Sequence, residues 1–173
     1  HRQGSGEFVE VLTKDGGGYH LAQMIRRITF DLARAGACGA GELARAAVRR
    51  AVGLGCGLTP SGDDFLTGLV AATYMCLGSS GAARRLAAAV EEASDSTSLL
   101  ARFMLRAACR GRFCEPLAGL VGALARGDRP AAEEWVRAIT HVGATSGEDM
   151  LAGVLLGLSA TEVRGRCYET SAA

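Results

Sequence analysis

The chain has 173 residues, 49% hydrophobic and 21% charged, with a formal net charge of +1. That length supports one domain with a real core and is short for two. The composition excludes intrinsic disorder, and the near-neutral balance gives no support to a nucleic-acid surface. No stretch reads as a membrane span. The longest charge-free helical run, Phe65 to Ala83, is interrupted by Gly68, Thr73, Gly78, Ser79 and Ser80, where a span needs about 20 mostly apolar residues. The six cysteines (Cys38, Cys56, Cys76, Cys109, Cys114 and Cys167) form no Cys-x-x-Cys, so neither a disulfide framework nor a zinc site is expected, and a cytoplasmic location is the default.

Residues 1–18 are expected to be a disordered or vector-derived segment. His1 to Phe8 lacks the apolar stretch of a signal peptide, and Glu7 to Thr13 is the one strand candidate. From there apolar residues recur at three and four, which is helical spacing. Tyr19 to Ala35 carries Leu21, Met24, Ile25, Ile28 and Leu32 on one stripe. A second helix is predicted over Glu42 to Val52, followed by a glycine-rich loop, Gly53 to Gly62. A third runs to about Leu77 and stops at Gly78-Ser-Ser-Gly81. Helices follow over residues 82–93, from the Ser94–Ser98 cluster of potential caps to about Cys109, and over Leu117 to Ala125. Asp128 with Pro130 starts another through Trp135 to about Val142. After the loop Gly143 to Gly147 a last helix reaches about Leu158. The expectation is an all-α, single-domain helical bundle over 19–160, with 161–173 as a C-terminal tail.

One signature occurs twice. Thr59-Pro-Ser-Gly-Asp-Asp-Phe-Leu-Thr-Gly-Leu69 aligns without gaps on Ala144-Thr-Ser-Gly-Glu-Asp-Met-Leu-Ala-Gly-Val154. Each copy is a glycine loop, a Ser-Gly-acid-Asp start and an uncharged helix, which predicts two buried central helices. Asp64, Gly68 and Ala72 fall at i, i+4, i+8, as do Asp149, Gly153 and Gly157. Two stripes of minimal side chains would let these helices approach closely, each with a carboxylate at its start. Antiparallel packing would separate the acids and a parallel or splayed crossing would unite them; the sequence leaves both open.

Ser61 and Ser146 are natural N-caps, with acids suited to the first turn behind them. Capping alone does not account for Gly53, Gly55, Gly57 and Gly62, because each glycine costs about 0.5–1 kcal/mol of backbone entropy. Such a loop suits close approach of a small anion, a phosphate or carboxylate. It lacks the Gly-Lys-Ser/Thr of a nucleotide loop and follows a helix. Asp63 and Asp64 oppose an anion unless Mg²⁺ bridges the charges or arginines dominate, Arg102, Arg106 and Arg110 being the candidates. A solvated basic face is the plainer account of those arginines. His141 as an acid/base and Cys56 as a nucleophile are weaker candidates than a structural histidine and an inert thiol.

The run Gly53 to Gly68 resembles the bacterial family that contains the AllH subunit of oxamate carbamoyltransferase. The likeness continues through Thr97-Ser-Leu-Leu with Ala108-Cys-Arg-Gly-Arg-Phe113, and through His141 to Gly153. It implies a subunit of a cytoplasmic assembly in allantoin and purine catabolism that converts oxalurate and phosphate to oxamate and carbamoyl phosphate. Its expected partners are a small anionic substrate and the other subunits, with no nucleic acid or membrane. Carried over by motif, Asp63, Asp64 and Asp149 are the candidate catalytic residues. Gly55, Gly57, Thr59, Ser61, Gly62, Ser146 and Gly147 are the candidates for substrate and anion binding. Cys56 stands where the family often has proline, and the N-terminal region usual in the family is expected to be absent or replaced. The alternatives are a noncatalytic scaffold subunit of such an assembly and an independent metal-dependent hydrolase.

Overall fold

The computed structural model describes residues 41–169 apart from Ser79, with side chains through Ser159. The predicted helix at Tyr19–Ala35, the strand candidate at Glu7–Thr13 and residues 1–18 as a whole lie outside the described residues. Within them all regular structure is helical: α1 (Gly41–Ala51), α2 (Ser61–Leu77), α3 (Gly81–Ala93), a 3₁₀ turn (Ser94–Ser96), α4 (Leu99–Cys109), α5 (Glu115–Ala125), α6 (Arg129–Ile139) and α7 (Ser146–Glu169). No described helix is long and apolar enough to cross a membrane.

Local chemistry sets most of these boundaries. Ser80 Oγ accepts from Ala83 N at 3.3 Å, Ser98 Oγ from Ala101 N at 3.1 Å and Asp128 Oδ1 from Ala131 N at 3.2 Å. Each satisfies a donor that a helix start leaves unpaired. Pro116 and Pro130 sit in the first turns of α5 and α6, where their missing N–H costs nothing. α7 runs well past its predicted end at Leu158, through Gly165 to Glu169, with no proline in its length to break it.

α2 is the axis of the fold, with every residue from Gly62 to Ala72 buried. On one side its Phe65, Leu66, Leu69 and Val70 join α1, α3 and α4 through Val48, Val90 and Leu105. On the other, its Ala71 and Ala72 join α5, α6 and α7 through Leu117, Leu120, Ile139 and Met150. Each fully buried aliphatic side chain contributes about 1.5–3 kcal/mol relative to exposure. α7 is less enclosed than its composition predicts, since Leu155 is 53% exposed. α5 and α6 form a hairpin in which the Trp135 indole lies on Gly119, where a Cβ would come within 2.3 Å of the ring.

The two small-residue stripes do face each other. A Cβ on Gly68 would lie 1.9 Å from the Met150 carbonyl oxygen, and one on Gly153 would lie 2.0 Å from that of Phe65. Phe65 and Met150 are counterparts in the repeat, as are Gly68 and Gly153, so each contact is the image of the other. One further turn along, a Cβ on Gly157 would meet Ala72 Cβ at 2.6 Å. The crossing is thus pseudo-two-fold, backbone against backbone, with both N-termini at one end.

Because the obstacle at Gly68 and at Gly153 is a carbonyl rather than a flexible side chain, relief requires the helices to part. Gly68→Ala and Gly153→Ala should each lower the unfolding free energy by about 3 kcal/mol, measured by urea denaturation. Gly122→Ala, whose Cβ meets only the tip of Arg126 at 3.3 Å, should instead gain about 0.5–1 kcal/mol.

Candidate functional site

Two helix–loop–helix units, α1–α2 and α6–α7, form the site, and the same contacts build both. Leu54 N donates to Ala51 O at 3.0 Å and Gly62 N to Leu54 O at 2.8 Å; in the second unit Val142 N donates to Ile139 O at 2.9 Å and Gly147 N to Val142 O at 3.0 Å. Gly62 and Gly147 lie against the end of the preceding helix, where a Cβ would fall 1.9 Å from Ala51 O and 1.7 Å from Ile139 O. Gly55 (φ 116°) and Gly143 (φ 64°) occupy the left-handed region just after those turns, against Ser61 and Ser146 respectively. The repeat therefore extends back into α1 and α6, beyond what the sequence identities reveal.

The units differ in their straps. Seven residues separate Leu54 from Gly62, against four between Val142 and Gly147. The extra length exposes Gly55, Cys56, Gly57 and Leu58. Among the described residues no backbone carbonyl receives the N–H of any of these four.

Ser61 and Ser146 do not cap their helices as predicted. The residue preceding α2 is Pro60, with no side-chain cap, and the donors a cap would hold are already taken: Asp63 N and Asp64 N donate to Pro60 O at 2.9 and 3.2 Å, and Asp149 N to Thr145 O at 3.0 Å. With Gly62 N and Gly147 N also bonded, these five amides have no hydrogen left for an anion. The serine hydroxyls cross over instead. Ser146 Oγ is 3.1 Å from Thr59 Oγ1, and both hydroxyls stabilise the charged form of Asp64. Ser61 does the same for Asp149, together with Thr145.

Asp64 and Asp149 consequently meet at the head of the crossing, 2% and 6% exposed. One oxygen of each, Oδ2, is buried without a hydrogen-bond partner. Burial pushes the Asp64 carboxyl up to about 6; the Ser146 hydroxyl draws it back, while the Asp149 charge raises it further. Burial likewise raises Asp149, and the Ser61 and Thr145 hydroxyls offset part of that shift. Such orphaned acceptors are costly in a protein interior unless a proton or a donor-bearing ligand meets them.

Asp63 stands apart from this pair. Its Oδ1 accepts from Gly53 N at 3.0 Å and its Oδ2 from Thr97 Oγ1 at 2.6 Å, so it fastens the strap to the segment leading into α4. Its repeat counterpart Glu148 is exposed. Burial raises Asp63, and the Thr97 and Gly53 hydrogen bonds pull it back. Thr97 and Thr145 are the polar partners that motif reasoning missed. Thr145 aligns with Pro60 in the repeat, which hid it, and Thr97 stands thirty-four residues from Asp63. Arg102 and Arg106 engage Asp95, and Arg110 engages Glu91, rather than any acid of the strap or the helix starts. His141 is exposed, with Nδ1 2.7 Å from Arg137 O. Among the described residues no three His, Cys, Asp or Glu side chains gather as a metal-ligand set.

The profile of one protein family, described as oxamate carbamoyltransferase subunit AllH, matches residues 51–158. The chain belongs to the AllH family. No solved structure matches it. The AllH match opens at the last residue of α1 and takes in the strap, both helix starts and the crossing. AllH membership makes the chain a subunit of a multi-subunit oxamate carbamoyltransferase.

The raised carboxyls fix a sign for pH dependence. Asp64 binds its proton more tightly folded (about 6) than at its ordinary value of 3.8, so its stabilising contribution is full below about 4 and is lost as pH rises through about 6. Asp149 and Asp63 act in the same direction. Urea midpoints should therefore fall between pH 4 and pH 6.5, and Asp64→Asn should flatten that slope.

Proposed function

We propose that this AllH-family subunit supplies a binding site for the carbamoyl-bearing metabolite, with oxalurate and phosphate passing to oxamate and carbamoyl phosphate. The observation that carries the reading is the pair of buried, partnerless carboxylate oxygens on Asp64 and Asp149. Two acceptors related by a pseudo-two-fold suit a primary amide, whose two N–H donors are themselves related by a two-fold. The carbamoyl –NH₂ of oxalurate and of carbamoyl phosphate has that form. The anionic end of the metabolite falls to the exposed strap, Gly55 to Leu58, and to the Thr59 hydroxyl, since the amides of Gly62, Asp63, Asp64, Gly147 and Asp149 are already bonded.

In the reaction, the bond between the carbamoyl carbon and the oxamate nitrogen breaks and a carbon–oxygen bond to phosphate forms. The proton carried by hydrogen phosphate ends on the oxamate nitrogen. Asp64, with its carboxyl near 6, is the group on this chain suited to relay it. Asp149 keeps the carbamoyl –NH₂ in register, and the Ser61 and Ser146 hydroxyls hold both carboxylates still. Asp63 serves this arrangement as a positioning residue, through the strap.

The test uses the complete assembly, reconstituted with this subunit. Asp64→Asn should lower kcat/KM for carbamoyl transfer by roughly 10²-fold or more, with assembly and thermal melting retained. Asp149→Asn should chiefly raise KM for oxalurate. Unchanged kinetics in both variants would exclude the reading and leave the chain a scaffold.

A further inference from the structure

The outer face of α4 sets large apolar side chains among arginines. Leu99 and Phe103, one helical turn apart, are 81% and 72% exposed. They line a groove of about 250 Å³ together with Arg102, Arg106, Arg110 and Arg112. Leu58 on the strap is also exposed, and the hydrogen bond from Ser98 Oγ to its carbonyl ties the strap to the start of α4. Large exposed apolar side chains ringed by arginine are a signature of contact surfaces, where aromatic residues and Arg are enriched.

Charge narrows the occupant. Arg102 and Arg106 share Asp95, at 3.4 and 3.0 Å, and Arg110 meets Glu91 at 2.7 Å. Two carboxylates thus answer four guanidiniums, and Arg102 Nε is buried with no partner. A second copy of this chain would bring four more arginines against these four, which like-charge repulsion opposes. A small inorganic anion would leave Leu99 and Phe103 in water. We infer that this face docks another subunit of the carbamoyltransferase assembly through a segment pairing apolar side chains with carboxylates, seated on Leu99 and Phe103 and closing beside the strap. The inference rests on membership of a multi-subunit enzyme and not on the roles given to Asp64 and Asp149.

The experiment mixes the full chain with the other subunits of its assembly. Hydrogen exchange on the wild-type chain should show residues 99–112 protected on assembly; no protection there overturns the inference without recourse to a variant. Phe103→Asp, at an exposed site, should leave circular dichroism and melting of the free chain unchanged while weakening association at least tenfold by sedimentation velocity. Arg112→Glu should weaken it less and make it less sensitive to salt. Asp64→Asn should associate normally, which separates this surface from the acid pair. The inference fails if Phe103→Asp associates like the wild type. It also fails if the isolated wild-type chain self-associates through this face, or if inorganic phosphate binds here in an Arg112-dependent way while assembly ignores the substitutions.

Discussion

The closeness of α2 and α7 governs everything else in this molecule. At Gly68 and Gly153 one helix backbone rests on the other, with carbonyl oxygens where any side chain would begin. Contact at that range forfeits the packing a pair of leucines would give, but it fixes the crossing in both register and rotation. The acids one turn earlier, Asp64 and Asp149, then have no latitude in where they stand. A looser crossing would let each carboxylate swing out to water; this one holds them in the interior, with their pKa values raised by the burial the glycines enforce.

The price of that burial is met by exchange. Each serine at a helix start serves the acid of the opposite helix, not the amides of its own. Backbone carbonyls of Leu54, Pro60, Val142 and Thr145 take over those amides, and the hydroxyls are released to cross. Stability and chemistry are coupled here, because the contacts that keep the helix starts apposed are the ones that set the protonation of the acids.

How much of this the sequence discloses depends on how local each cause is. The repeat, the glycine stripes and the helices from α1 to α6 follow from spacing and turn residues that act over a few positions. Ser61 and Ser146 misled because Ser before two acids is a capping pattern, and whether it caps depends on whether the amides already have partners, a tertiary matter. Asp63 and Asp64 are adjacent and chemically identical in the sequence. Only the fold separates them, by bringing Thr97 and Gly53 to one and Ser146 to the other. The choice between a parallel and an antiparallel crossing is equally invisible, since the stripe is compatible with either. The length of α7 is hidden because its uncharged stretch ends at Thr161 and the polar, glycine-containing residues after it carry no helical apolar stripe.

In symmetry terms the two units meet as the subunits of an isologous dimer do, residue i on j and j on i. Joined in one chain, they are free to diverge as identical subunits are not. One half has a long open strap secured by a buried Asp63; the other has a short turn and an exposed Glu148 in the corresponding place. A guest lying between the two acids would meet two carboxylates related by a near two-fold rotation, and two unlike walls beyond. A molecule with different ends, such as an amide at one and an acid at the other, would therefore have a single way to lie.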